Sequence, residues 1–149
     1  MKPITLLAAG ALLLAAPTAF AKTCKLEVDS NDQMQFVQKE LKVAADCSKV
    51  ELTLRHVGKL PATAMGHNWV LAKTADYRPL AIAGARATAA DSYLPPGDKR
   101  AIAHTKVIGG GETATVTFAT SALQKGGAYT FFCSFPGHWG TMKGTLVFG

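Results

Sequence analysis

Val50, Leu52, Leu54 and His56 alternate with Lys49, Glu51, Thr53 and Arg55, a period of two that gives a strand one apolar face and one wet face. The same period returns where Ala114, Val116 and Phe118 alternate with Thr113, Thr115 and Thr117. Short apolar or β-branched runs at 129–133 and 145–148 read as further strands. Further strands are expected over 25–28, 36–43, 68–72 and 101–106, separated by clusters of Gly, Pro, Asn and Asp. Many short strands with turn signals between them predict an all-β fold, a Greek-key β-sandwich of antiparallel sheets. Residues 74–97 break the rhythm, being rich in alanine and ending in Pro95, Pro96 and Gly97. A short helical excursion fits there, with Pro79 expected near a helix start or at a kink. No internal repeat interrupts this pattern.

The first residues have a different design. Lys2 precedes an uncharged stretch over 4–16, then Pro17, with small Ala19 and Ala21 flanking Phe20, the layout of a secretory signal peptide over residues 1–21. A stretch of about 13 residues is too short for a bilayer core that needs about 20, and no later segment is comparable, so no membrane span is expected. A lipid anchor on Cys24 would require small residues before it, where Lys22 and Thr23 stand. The remaining 22–149 suit one domain with its own core. Removing the leader takes Lys2 and lowers the net charge from +6 to +5. That charge is spread in short pieces, without the clustered cations and interleaved aromatics of a nucleic-acid surface, so no nucleic-acid partner is expected.

Export to the periplasm changes how three cysteines are read, because thiols oxidise there. Cys24 and Cys47 form the natural disulfide pair and leave Cys133, which must be buried, reactive by purpose or bound to a metal. Around it the chain runs Cys133-Ser134-Phe135-Pro136-Gly137-His138-Trp139-Gly140-Thr141-Met142. The Pro136-Gly137 turn can return His138 toward Cys133, and Met142 stands just before the last strand. Thiolate, imidazole and weak thioether together suit copper, since soft sulfur favours Cu(I) and nitrogen supports Cu(II). A second imidazole is best supplied by His67, in Met65-Gly66-His67-Asn68-Trp69, where Gly66 allows the backbone to approach the ion. His104 reads as a structural or solvated histidine. His56 is in phase with an apolar face, so it is either buried with a polar partner or titrates near the site.

These residues resemble the azurin family of blue-copper proteins, of the cupredoxin fold, from Cys24 to the last strand. The likeness is carried by residues 65–71, by Ile102-Ala103-His104-Thr105-Lys106, by Phe131-Phe132-Cys133, by Phe135-Pro136-Gly137-His138 and by Met142-Lys143-Gly144. It implies a type 1 copper electron carrier rather than an enzyme. Cys133, His67 and His138 would be the strong ligands, with Met142 and the Gly66 carbonyl as weak axial contacts. Asn68 would tie the two ligand loops together, Phe135 would cover the site, and Trp69 would be a buried core indole. The resemblance places an amide donor to the Cys133 sulfur after Phe135, where Pro136 has no N–H to give. Electrons would leave by the edge of His138, inside an apolar patch of Met34, Leu60, Ala64, Met65, Ala85, Phe135, Pro136 and Gly137 that docks redox proteins transiently to a monomer. Trp139 and the Gly140-Thr141 pair depart from the family pattern and bear on the choice of partner.

Three other readings compete. A Cys-His hydrolase or thiol oxidoreductase would use Cys133 and His138 as nucleophile and base, but no second redox cysteine or oxyanion-hole glycine run lies near, and Met142 would be idle. Copper storage or delivery could use the same ligands. Structural zinc could take the Cys and two His but has no use for the thioether.

Overall fold

The structure, a computed structural model, describes residues 21–149; all but the last residue of the signal peptide expected over 1–21 lies outside the described residues. Among the described residues nine strands form two sheets. The first sheet has the order β2 (Gln35–Phe36), β1 (Thr23–Asn31), β4 (Lys49–His56) and β7 (Thr113–Ala119). The second has the order β3 (Glu40–Val43), β9 (Lys143–Phe148), β8 (Tyr129–Phe132), β5 (Val70–Lys73) and β6 (Ala103–His104). Strands β4 and β7 bury the alternate residues their sequence marks: Val50, Leu52, Leu54 and His56 on one, Ala114 and Phe118 on the other. Their inner faces meet Leu71, Phe131, Leu146 and Phe148 of the second sheet in one core. Trp69 is fully buried at its centre, stacked between Phe118 and Phe131 with both ring centroids 6.0 Å away.

The sheets are mixed rather than purely antiparallel. β1 pairs with β4 in parallel, and β3 pairs with β9 in parallel. Strand alternation is the same in either sense, so the period of two carries no information on direction. The single strand expected over 36–43 is two strands in different sheets. Val37 still donates its N–H to the Asp29 carbonyl (2.8 Å) in the first sheet, and two residues later the Lys39 carbonyl accepts from Thr145 (2.9 Å) in the second. The chain turns this corner while Gln38 receives the Asp29 N–H on its side-chain oxygen (2.8 Å). Cys24 and Cys47 are joined, tying the start of β1 to the approach of β4 with a Cα–Cα distance of 5.8 Å.

The excursion holds helix α2 (Thr74–Gly84), with Pro79 inside it beyond the first turn. Its Leu80 and Ala81, together with Leu94, pack on Val70, Ala72 and Phe132 to form a second small core outside the sandwich. β5 and β8 are thereby covered on both faces, which explains why their sequences are continuous apolar runs rather than alternating ones. A one-turn helix, α1 (Ala62–Met65), precedes Gly66 and was not marked in the sequence. Among the described residues no helix is long and apolar enough to cross a membrane.

Candidate metal centre

Two connections meet at the end of the sandwich where β4 and β8 finish. The first leaves β4 through α1 and reaches His67, whose backbone is pinned by paired bonds with Ile108: the His67 N–H donates to the Ile108 carbonyl (2.9 Å) and the Ile108 N–H returns the bond (2.8 Å). The second leaves β8 at Cys133 and turns at Pro136-Gly137, where Gly137 takes φ of 82°. His138 donates its N–H to the Phe135 carbonyl (3.0 Å), and the His138 carbonyl accepts from Met142 (2.8 Å). Cys133 in turn donates its N–H to the Met142 carbonyl (3.0 Å), closing the loop that separates the two. The turn predicted at Pro136-Gly137 therefore does return His138 to Cys133.

His67, Cys133 and His138 converge, with ligand atoms all within 4.8 Å of one another and all three residues buried. Cys133 Sγ lies 3.9 Å from His67 Nδ1, 3.7 Å from His138 Nδ1 and 4.0 Å from the Gly66 carbonyl oxygen. Two ligands at 120° around an ion, with bonds of about 2.05 Å to nitrogen and about 2.3 Å to sulfur, are separated by ~3.8 Å, against ~3.6 Å at the tetrahedral angle. The observed pair of distances brackets the trigonal value. One thiolate and two imidazoles in a trigonal set is the donor chemistry of copper electron-transfer sites.

The protonation pattern is consistent with that chemistry. His67 Nε2 donates to the Asn31 carbonyl (2.8 Å), which leaves the Nδ1 lone pair facing the sulfur. Burial pushes the His67 imidazole down to about 4, and burial lowers His138 as well, so both stay neutral and able to ligate at neutral pH. Burial pushes the Cys133 thiol up to about 12, opposed by the backbone N–H groups of Asn68 and Phe135, which donate to the sulfur. The amide contributed by the covering loop is therefore that of Phe135 itself, and Asn68 supplies another from the first loop. A thiol that burial keeps protonated is a poor nucleophile, which weighs against the Cys-His hydrolase. A metal cation reverses the balance by replacing the proton.

Gly66 has an ordinary φ of −67°, so its necessity is spatial rather than conformational. A Cβ there would lie 2.7 Å from Val107 Cγ1 and 2.9 Å from Phe135 Cδ2, and closer still to the Ala62 carbonyl. Asn68 lies under the site and holds three segments. Its Nδ2 donates to the Ser92 carbonyl (3.0 Å) and to Ser134 Oγ (2.8 Å), while its Oδ1 accepts from the Ser134 N–H (2.9 Å). Ser134 Oγ donates to the same Ser92 carbonyl (2.6 Å). Ser92 and Ser134 carried no signal in the sequence, because their role depends on the excursion folding back over the ligand loops. The turn that presents Ser92 puts it and Tyr93 in the left-handed region, at φ of 56° and 51°. Tyr93 then meets Phe135 edge-on at 5.3 Å, and Phe135 lies 4.6 Å from the His138 ring.

His56 is buried with partners, the first of its two readings. Its Nδ1 accepts the Gly58 N–H (3.1 Å), its Nε2 donates to the Met65 carbonyl (3.0 Å), and its ring stacks on His67 at 4.5 Å. His104 sits exposed on β6, outside the ligand triangle. Met142 is fully buried. Trp69 Nε1 is the one sealed side-chain polar atom without a partner among the described residues.

The sandwich and its trigonal sulfur-nitrogen site define a cupredoxin with a copper-binding centre. A family model for copper binding proteins of the plastocyanin/azurin family matches residues 22–149, and the chain belongs to that family. Within it, the likeness is to azurins. The azurin of Achromobacter denitrificans is 51% identical over 138 residues, covering 91% of this chain and 93% of that one. The azurin of Pseudomonas chlororaphis is 52% identical over 124 residues, covering 83% of this chain and 97% of its own. The solved azurin Az-iso2 of Methylomonas sp. strain J superposes with a TM-score of 0.82 at 48% identity, over 85% of this chain and 98% of that one.

Proposed function

We propose that this chain carries single electrons between redox proteins on one type 1 copper ion, with Cys133, His67 and His138 as strong ligands and Met142 and the Gly66 carbonyl as weak ones. The observation that carries the reading is the triangle of a buried thiol and two neutral imidazoles at 3.7 and 3.9 Å, close to trigonal spacing. Copper, when bound, supplies the one-electron couple. The protein supplies rigidity: the Ile108 bridge fixes His67, the Met142 and Phe135 carbonyls fix the Cys133–His138 loop, and Asn68 binds the two loops together. Ligands that cannot relax toward the preference of either oxidation state keep reorganisation small. The N–H groups of Asn68 and Phe135 stabilise charge on the sulfur.

The path out begins at His138, which is nearly buried but whose Nε2 has no protein partner and is not sealed from solvent. Around it we place the apolar docking patch. Met34 and Leu60 are exposed at 39% and 41%, Ala64, Ala85, Pro136 and Gly137 are exposed, and Met65 and Phe135 are partly so. We further propose that residues 1–21 direct export, that 22–149 is the mature domain, and that the protein works in the periplasm as a monomer. Storage or delivery of copper is separated from electron carriage by a retention test. Copper-loaded protein is cycled through many reductions and oxidations beside an excess of a copper chelator. A carrier keeps its blue absorption and passes no metal; loss of copper to the chelator within the first cycles would favour delivery.

A further inference from the structure

Beside His138, on the face where α2 covers β8, two cations lie on two aromatic rings. Lys143 Nζ sits 5.3 Å from the Tyr77 ring centroid and donates to the Tyr77 hydroxyl (3.1 Å); the Arg78 guanidinium sits 6.0 Å from the Trp139 ring. Tyr77 and Trp139 are themselves partly buried against the second core, with Tyr77 packed on Phe132 at 5.8 Å. Both cations are exposed, and neither forms an ion pair among the described residues. Arg55 and Arg100, by contrast, are paired with Asp29 and Asp98. The one acid of α2, Asp76, acts on Arg100 rather than on this pair. The rings limit the wandering of two long side chains, so less entropy is lost when they meet an anion.

Resting on the electron-carrier reading, we propose that Tyr77, Arg78, Trp139 and Lys143 form a cationic flank to the apolar exit, and that it orients an acidic redox protein, one that presents carboxylates beside its own electron-transfer group. Trp139 follows His138 directly and Phe132 precedes Cys133, so a partner held by these cations lies next to the imidazole edge. The apolar patch provides contact area without direction. The flank adds electrostatic choice, which acts on encounter rate and on rejection of basic partners. This gives a use to Trp139, the bulky ring directly after His138.

The test uses copper-loaded, reduced protein and two probes of the same shape: basic cytochrome c, and the same cytochrome with its lysines succinylated to carboxylates. In each reaction one electron leaves the copper protein and reduces one ferric haem. Stopped-flow rates at an ionic strength of about 0.01 M, where the screening length is about 30 Å, should favour the succinylated probe. Arg78→Gln/Lys143→Gln should slow that reaction about five- to tenfold while leaving the basic probe unchanged or faster, and the difference should vanish at about 1 M salt. Lys49→Gln/Lys125→Gln removes the same charge from the opposite end of the sandwich and should slow it less than about twofold. Equal slowing by both double variants, or no preference between the probes, would overturn the flank. So would loss of binding to phosphatidylserine vesicles in the Arg78→Gln/Lys143→Gln variant with no change in either rate. Arg78→Gln alone, away from the ligand loop, should show part of the effect with an unaltered visible spectrum. Absence of the blue band in the unsubstituted protein would count against the copper reading and not against the flank.

Discussion

Asn68→Ala would strip the carboxamide from the three segments it joins and leave the Ser134 N–H without its acceptor in a buried place. Orphaned buried groups cost about 1–3 kcal/mol each, so a loss of about 2–4 kcal/mol is expected in chemical denaturation of the metal-free protein. The ligands themselves remain, so the copper-loaded variant should still be blue but should lose its metal faster to a chelator. Unchanged stability would mean that the loops are held by packing alone. The ligands were legible in the sequence because chemistry and spacing coincide: a thiol, an imidazole and a thioether within one loop, with a turn between the first two. Ser92 and Ser134 were not, since a serine in a loop reads as a solvated turn. Asn31 contributes only a backbone carbonyl to His67, which no side-chain pattern announces. The donor amide was assigned one position late in the sequence, because only the fold shows that the Phe135 N–H, rather than its successor, points at the sulfur.

At the scale of elements, Pro79 is the feature most at odds with its setting. It stands beyond the first turn of α2, where it withholds an N–H from the Ala75 carbonyl. The helix is kept by its outer core, in which Leu80 and Ala81 pack on β5 and β8. Pro79→Ala should therefore stabilise the fold by about 1–2 kcal/mol, less than the full proline penalty because the unfolded chain also gains freedom. A destabilised variant in thermal melts would show that the proline shapes the excursion. Strands β4, β7 and β8 were readable from period and composition, since each meets the core with the alternation or continuous burial its residues mark; the apolar run of β9 was readable as a strand, but it alternates, with Leu146 and Phe148 buried and Val147 exposed. The parallel pairings were hidden because direction is set by which strands the long connections bring together. The split of 36–43 leaves a mark in the residues, since Phe36 is buried at an even position and Leu41 and Val43 at odd ones, but a slip of one residue in the period also fits a bulge within a single strand.

For the whole molecule, the buried site makes stability depend on pH in a definite sense. His67 has its folded value lowered from 6.5 to about 4, so between those values the unfolded chain binds more protons, and stability is lost as pH falls through the window. Taken with 1.36 kcal/mol per unit, the loss in metal-free protein is of the order of 2–3 kcal/mol by pH 4. Cys133 acts at the other end: its value rises from 9.0 to about 12, so the unfolded chain sheds its proton first and stability falls again as pH climbs above 9. Denaturant midpoints of metal-free protein should thus peak between about pH 7 and 9. Copper should raise the whole curve, because an ion bound only by the folded state stabilises in proportion to RT ln(1 + [L]/Kd). A curve flat from pH 4 to 7 would show that His67 is not held neutral by its surroundings. The electron-carrier account rests most directly on the bond between Cys133 and copper. Cu(II) added to the purified mature protein should give an intense blue band that disappears with a one-electron reductant and returns on reoxidation. A weak band, or none, would exclude Cys133 from the coordination sphere and contradict the account.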